Sequence, residues 1–193
     1  FFESVSGHID TGLLDSNVSD LLFLLTPKMT SSKEAITDIT AKVVTDSRKK
    51  QTISVTVTAG AYSGTFSVPS GASTGVKEVL VVPPAAAKTI IKNTVKPAIL
   101  GMRVTDQAGI DAVLKKLGED ASLAAIGGNV ALGVSVAVCK VAAKVQGQET
   151  WEYIADLFGH QSQAAAPRLY VNLINGGEHA AVGSEIQEHQ IIP

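Results

Sequence analysis

The chain has 193 residues, 45% of them hydrophobic and 18% charged, with a formal net charge of −2. That length fits one domain, or one domain with part of a second, and the apolar share is enough for a real core. With no long run of one sign, nothing electrostatic favours a nucleic-acid or acidic-membrane partner, and none is expected. Cys139 is the single cysteine, so no internal disulfide can form and a reducing, cytoplasmic setting is the expectation. The nearest candidate for a membrane span is Leu21-Leu22-Phe23-Leu24-Leu25. It is far short of the ~18 residues a span needs and lacks the flanks of a signal peptide.

The first residue is Phe1, while Met29 opens the polar string Thr30-Ser31-Ser32-Lys33 and reads as a natural start. Residues 1–28 then form an extension of unknown origin, and the whole segment 1–35 is expected to lie outside the folded domain. From Ile36 the pattern is that of strands. Ile36 to Thr45 reads as one, Asp46-Ser47-Arg48-Lys49-Lys50 as a polar turn, and Thr52 to Thr58 as a second strand. The strict alternation of that strand puts Ile53, Val55 and Val57 on one buried face. Gly64 to Val68 gives a short third strand, so an antiparallel meander is expected over about 36–68. The next segment, Pro69-Ser70-Gly71-Ala72-Ser73-Thr74-Gly75, is small, glycine-flanked and has little to pack; it is a loop.

Helices follow. Ala85 to Leu100 collects Ile90, Ile91, Val95, Ala98 and Ile99 on one face, with Gly101 as its stop. Asp106 caps a helix carrying Ile110, Val113, Leu114 and Leu117, which ends at Gly118. Asn129 to Gln146 is apolar almost all round and stopped by Gly147, so it should lie deep in the structure. A short helix runs from Thr150 to Phe158. After Pro167, Leu169 to Ile174 carries a buried-strand signal, and Ile186 to Ile192 a weaker one. Strands first and helices afterwards indicate an α+β domain.

Three stretches stand in order and at matching spacing: Val68 to Gly75, then Gly128-Asn129-Val130-Ala131-Leu132-Gly133-Val134-Ser135-Val136-Ala137, then Asn175-Gly176-Gly177-Glu178-His179-Ala180 with Gln187-Glu188 beyond. Together they resemble enolases (phosphopyruvate hydratases), and the similarity runs from about Ile36 to Pro193. The resemblance implies an enolase N-terminal (lid) domain over 36–165, followed over 166–193 by the truncated start of a (β/α)8 barrel. A complete barrel takes about 250 residues, far more than follow Pro167.

The resemblance also implies a chemistry. Enolases dehydrate 2-phosphoglycerate reversibly to phosphoenolpyruvate in glycolysis and gluconeogenesis, holding the charge of the intermediate with magnesium. It assigns Ser73, on the mobile loop 70–75, to the second Mg2+; a hydroxyl on a loop that shuts out water suits that role. It assigns His179, Gln187 and Glu188 to substrate, and Glu188 to catalysis beside the departing hydroxyl, where general-acid help is needed. The catalytic lysine, the magnesium carboxylates and the second catalytic glutamate fall on family segments beyond Pro193. The chain alone is therefore expected to be inactive.

Departures from the family pattern bear on partners and activity. Lys49-Lys50-Gln51 replaces the Gly-Asn-Pro that usually follows Asp-Ser-Arg. Lys42 stands where the family has an arginine of the homodimer contact, and Val81-Val82-Pro83-Pro84-Ala85-Ala86 shortens the path after the loop. These changes support a second reading, a stand-alone enolase-like lid domain that acts as a non-catalytic interaction or structural protein.

Overall fold

A computed structural model describes residues 33–71, 75, 77–160, 166–177 and 185–193, all within one unit, Lys33–Pro193. The expectations for residues 1–32, Ser73 and His179 fall outside the described residues.

Three strands, β1 (Ile36–Thr45), β2 (Gln51–Ala59) and β3 (Tyr62–Ser67), pair antiparallel in the order β1-β2-β3. The meander is the one expected, with β3 starting two residues before Gly64. Ala59 opposes Tyr62 across a two-residue turn, and Gly60 holds φ 55 at its first position, where hairpin turns need a residue free of Cβ. Ile53, Val55 and Val57 are fully buried, so alternation in β2 assigned its core face correctly.

The β1–β2 turn is built around Asp46. Its Oδ1 accepts the backbone N–H groups of Arg48 and Lys50 at 2.9 and 2.8 Å, a side chain standing in for backbone partners. These bonds, with the Ser70 hydroxyl also donating, hold the Asp46 carboxyl below its ordinary pKa, the Lys50 N–H being the largest cause. The turn is thus held firmly above the unfolded carboxylate pKa and loosens as pH falls through the lower folded value. Lys49 takes φ 63, a left-handed conformation that costs an L-residue about 1–2 kcal/mol. The turn takes a backbone that suits glycine, and strains a lysine to do so.

Four helical stretches follow, of which the first and third pack directly on the sheet. α1 (Pro84–Ile90) runs through a π-helical stretch (Ile91–Val95) into α2 (Lys96–Ile99). Pro97 has no N–H to give its helix, and the wider turn that precedes it, in which Lys96 N–H bonds to Ile91 O, accommodates the ring. Ala87, Ile91, Val95 and Ile99 are buried at strict four-residue spacing. Ala98, expected on that face, is exposed, and Ile90 is only half-buried: the buried stripe is narrower than the apolar pattern suggested. α3 (Gln107–Leu117) is capped by Asp106, whose carboxylate accepts from Gly109 N–H at 3.0 Å. Ile110 and Leu114 point into the core. α5 (Thr150–Leu157) begins with a reciprocal capping box between Glu149 and Glu152.

α4 (Gly128–Gln146) is the central helix. Val130, Val134, Ala137, Val138, Val141 and Ala142 are all fully buried. By length and composition it could cross a membrane, which corrects the expectation that no stretch approaches that length; the apolar run was hidden by its interspersed Asn129, Ser135 and Lys140. Most of it is buried against the sheet and neighbouring helices. The approach is close. A Cβ on Gly64 of β3 would lie 2.5 Å from Ala137 O and 2.7 Å from Val141 N, and one on Gly133 would lie 2.8 Å from Val55 Cγ2.

β4 (Val171–Asn175) and β5 (Glu188–Ile191) form a separate antiparallel pair. Every residue of both strands is exposed, which corrects the buried-strand reading of Leu169 to Ile174. The apolar pattern is there, with Leu173 64% and Ile174 53% exposed, and no layer of the described chain covers it.

Two outcomes test this packing. Gly64→Ala should cost about 1–3 kcal/mol through overpacking against α4, read as a lower urea midpoint at unchanged slope; no shift would mean that α4 is free to move away. Lys49→Gly should stabilise the chain, by up to about 1 kcal/mol, by relieving the left-handed strain, and a lowered melting temperature would refute that reading of the turn.

Candidate functional site

The loop expected to carry the chemistry leaves β3 and returns to the helices at well-fixed points. On the outgoing side, Val68 N–H bonds to Ile53 O at 2.9 Å, and the buried Thr52 hydroxyl donates to Val68 O at 2.7 Å. Ser70 donates to the Asp46 carboxylate, tying the loop's first residues to the β1–β2 turn. On the returning side, Gly75 and Glu78 close a local turn: Glu78 N–H bonds to Gly75 O at 3.1 Å and Gly75 N–H to Glu78 Oε1 at 3.0 Å.

Beyond Glu78 the chain is clamped to the start of α4. Leu80 N–H bonds to Ser122 O at 3.0 Å and Gly128 N–H to Leu80 O at 2.7 Å. Asn129, only 7% exposed, does the rest. Its amide donates to Val82 O at 2.9 Å and accepts from Val82 N–H at 3.2 Å, pairing like a strand with one residue of the shortened segment. Glycine at 127 and 128 is what makes room, since a Cβ there would meet Val82 Cγ2 at 2.7 Å or Val79 Cγ2 at 2.3 Å. Sequence reasoning quoted Asn129 within the helix motif but gave it no role. The signal was present: a lone amide at the start of an otherwise apolar helix needs buried partners.

A cavity of about 690 Å3 opens between these anchors. Loop residues Ser70 and Gly71, returning residues Glu78, Val79 and Val82, and Asp111, Leu114, Lys115 and Leu132 of α3 and α4 are among those lining it. The volume suits a small molecule, and its walls are mainly apolar. No described residue of the β4–β5 hairpin lines it.

The hairpin holds the other expected site residues. Gly176 N–H bonds to Gln187 O at 2.8 Å, and Glu188 opposes Asn175 in the ladder. Asn175-Gly176-Gly177 and Gln187-Glu188 are therefore brought together, although about ten residues of sequence separate them. Gly177, at φ 59, runs close to Gln187: a Cβ there would lie 3.6 Å from Gln187 Cα. The Glu188 carboxylate is exposed and accepts from the Gln190 amide at 2.9 Å. Among the described residues no three His, Cys, Asp or Glu side chains converge on one point.

Residues 36–154 match the family model of the enolase N-terminal domain. The enolase of Archaeoglobus fulgidus is 38% identical over 158 residues, which is 82% of this chain and 38% of that protein. Enolase 1 of Entamoeba histolytica is 35% identical over 170 residues, 82% of this chain and 39% of that protein. The chain thus spans about two-fifths of the length of these curated relatives. A matched domain over residues 36–154, folded as a three-stranded antiparallel sheet under a helical layer, makes this chain a member of the enolase family.

Proposed function

We propose that the chain supplies the lid side of an enolase site, for the reversible dehydration of 2-phosphoglycerate to phosphoenolpyruvate. The observation that carries this reading is the match of residues 36–154 to the enolase N-terminal domain, a range that includes the loop 70–75. The same reading divides the chain into a lid domain over 36–165 and the start of the barrel domain over 166–193. His179, Gln187 and Glu188 then face substrate, with Glu188 as the acid beside the leaving hydroxyl. The close pairing of Gln187-Glu188 with Asn175-Gly176-Gly177 supports their acting as one patch.

The family reading implies Mg2+, with Ser73 as a ligand to the second ion. The described residues do not fit that ion by themselves: magnesium needs near-octahedral oxygen ligands, including carboxylates, and no such group gathers among them. What the chain's own residues offer is positional. The two anchors described above fix where the loop leaves and returns, so a hydroxyl on it has a defined reach, and the exposed Glu188 carboxylate is placed to exchange a proton at an open surface.

The alternative is a lid domain retained without catalysis, as an interaction or structural protein. The strained Lys49 turn and the shortened 81–86 segment are its support.

Purified, this chain should not dehydrate 2-phosphoglycerate. General acid, general base and cation act as a unit, and removing one member forfeits most of the effect; in the family pattern the base and the cation carboxylates fall on segments beyond Pro193. An absorbance assay for phosphoenolpyruvate with excess magnesium checks it, with Glu188→Gln as control. Turnover that vanishes in the control would overturn the expectation of inactivity and establish Glu188 as catalytic. Equal traces in both would identify host enolase.

A further inference from the structure

The cavity beside the loop has a charged corner. Asp111 and Lys115 both line it, and at a spacing of four residues on α3 they share one helix face. An acid and a base so placed commonly close an ion pair. Here none joins them, the ion pairs among the described residues being Lys96–Asp38 and Arg103–Glu34. The Gln107 amide supplies the reason. Its Nε2 donates to Asp111 Oδ1 at 3.1 Å, and to Ser135 Oγ and Ser135 O at 3.0 and 3.3 Å. The carboxylate is thereby held toward Gln107 and α4 rather than toward Lys115, which lies one turn the other way. Gln107 Oε1 is left buried with no donor among the described residues, so this brace is kept at a cost in stability.

Around this corner the walls are apolar. Leu114, Leu123 and Leu132 line the cavity from the helices and their connection, and Val79, Val81 and Val82 from the returning chain. Leu132 is 45% and Val79 42% exposed, so an apolar group seated against them takes that surface out of water. A volume of about 690 Å3 is in the range of small-molecule sites. Val81 and Val82 belong to the segment 81–86 in which this chain departs from the family pattern, so this part of the wall is the chain's own.

We propose that the cavity binds a free α-amino acid with a large apolar side chain. Its ammonium sits on Asp111 and Ser135, its carboxylate on Lys115, and its side chain among Leu114, Leu132 and Val79. The Asp111 carboxylate has acceptor sites beyond the one that Gln107 takes, and the Ser135 hydroxyl keeps a second lone pair. Lys115 is exposed and brings an ammonium that no ion pair among the described residues engages. Glu78, the remaining charged residue of the lining, accepts Gly75 N–H at 3.0 Å. Against two carboxylates and one ammonium, a ligand of single charge meets repulsion: an anion from Asp111 and Glu78, a cation from Lys115. A zwitterion meets its complement at each end. Side chains at this helical spacing start about 5–6 Å apart, and the two charges of an α-amino acid flank one carbon, so both contacts are made together. The inference is independent of the catalytic reading, because binding is measured without turnover.

Isothermal titration of the full chain tests this with four probes. L-phenylalanine should bind saturably, with a Kd of about 1 mM or tighter. 3-Phenylpropanoate lacks the ammonium and 2-phenylethylamine lacks the carboxylate. Each should bind about tenfold or more weakly, the worth of one charge-assisted contact, read directly or by competition with phenylalanine. Glycine, with both charges and no side chain, should not bind measurably. Two variants then separate the ends of the ligand. Asp111→Asn should weaken phenylalanine by about tenfold and leave phenylpropanoate at its original affinity or tighter. Lys115→Gln should weaken phenylalanine similarly and leave phenylethylamine at its original affinity or tighter. A variant that merely misfolds would lose every probe, so the selectivity carries the result. No binding of phenylalanine, equal affinity for the three aromatic probes, phenylalanine unmoved by either substitution, or loss of all three aromatic probes in either variant would each overturn the inference.

Discussion

The close contact of α4 with the sheet is the constraint on which the rest depends. Four valines of that helix, Val130, Val134, Val138 and Val141, are fully buried, each contributing about 1.5–3 kcal/mol as an upper estimate. They reach β2 and β3 only because Gly64 and Gly133 let backbone approach backbone and side chain without a Cβ between. A core packed to crystal-like density does not tolerate a methyl group in such a place. The other helices then arrange themselves around this pair: Tyr153 of α5 is buried beside α4, and Ile110 and Leu114 of α3 complete the far side.

The same helix organises the candidate site. Its first turn is where the chain returning from the loop is caught, through Gly128 and Asn129. An apolar helix buried on nearly every side has few polar groups to lend, and the one amide it carries at its start is committed wholly to Val82. The loop is thus anchored to the most deeply buried element of the fold on one side and to β2 on the other. Both ends of the loop draw their rigidity from the core. On the function proposed above, this is the segment that would close over substrate.

The surfaces left open follow from the same layering. The helices that pack on the sheet cover one of its faces, and hydroxyl residues such as Thr56 and Thr65 line the other, bonded to one another at 2.9 Å, as an antiparallel sheet with one wet face allows. Among the described residues no layer covers the β4–β5 hairpin. Its apolar residues are those of a strand meant for burial, displayed at a surface. The outer face of α5, with Trp151 48% and Phe158 72% exposed, is similarly uncovered.

Local pattern decided much in advance. Period-two alternation fixed the inner face of β2, because a one-residue slip would turn Ile53, Val55 and Val57 to solvent. Asp106, Gly118 and Gly147 marked helix ends through backbone chemistry that needs no tertiary context. The order of three short motifs announced the family. Tertiary structure decided what pattern cannot encode. The apolar run from Leu169 to Ile174 reads alike whether or not another layer covers it, so its exposure was invisible in the sequence. Asn129 acquired its role only when residues 47 positions apart met, and Lys49 showed its strain only when the turn around Asp46 set its backbone. Gln187 and Glu188 came to lie against Asn175 to Gly177 by ladder pairing, a long-range register that depends on the intervening chain. Burial, strain and proximity are properties of neighbours, and a sequence names its residues without naming what they will touch.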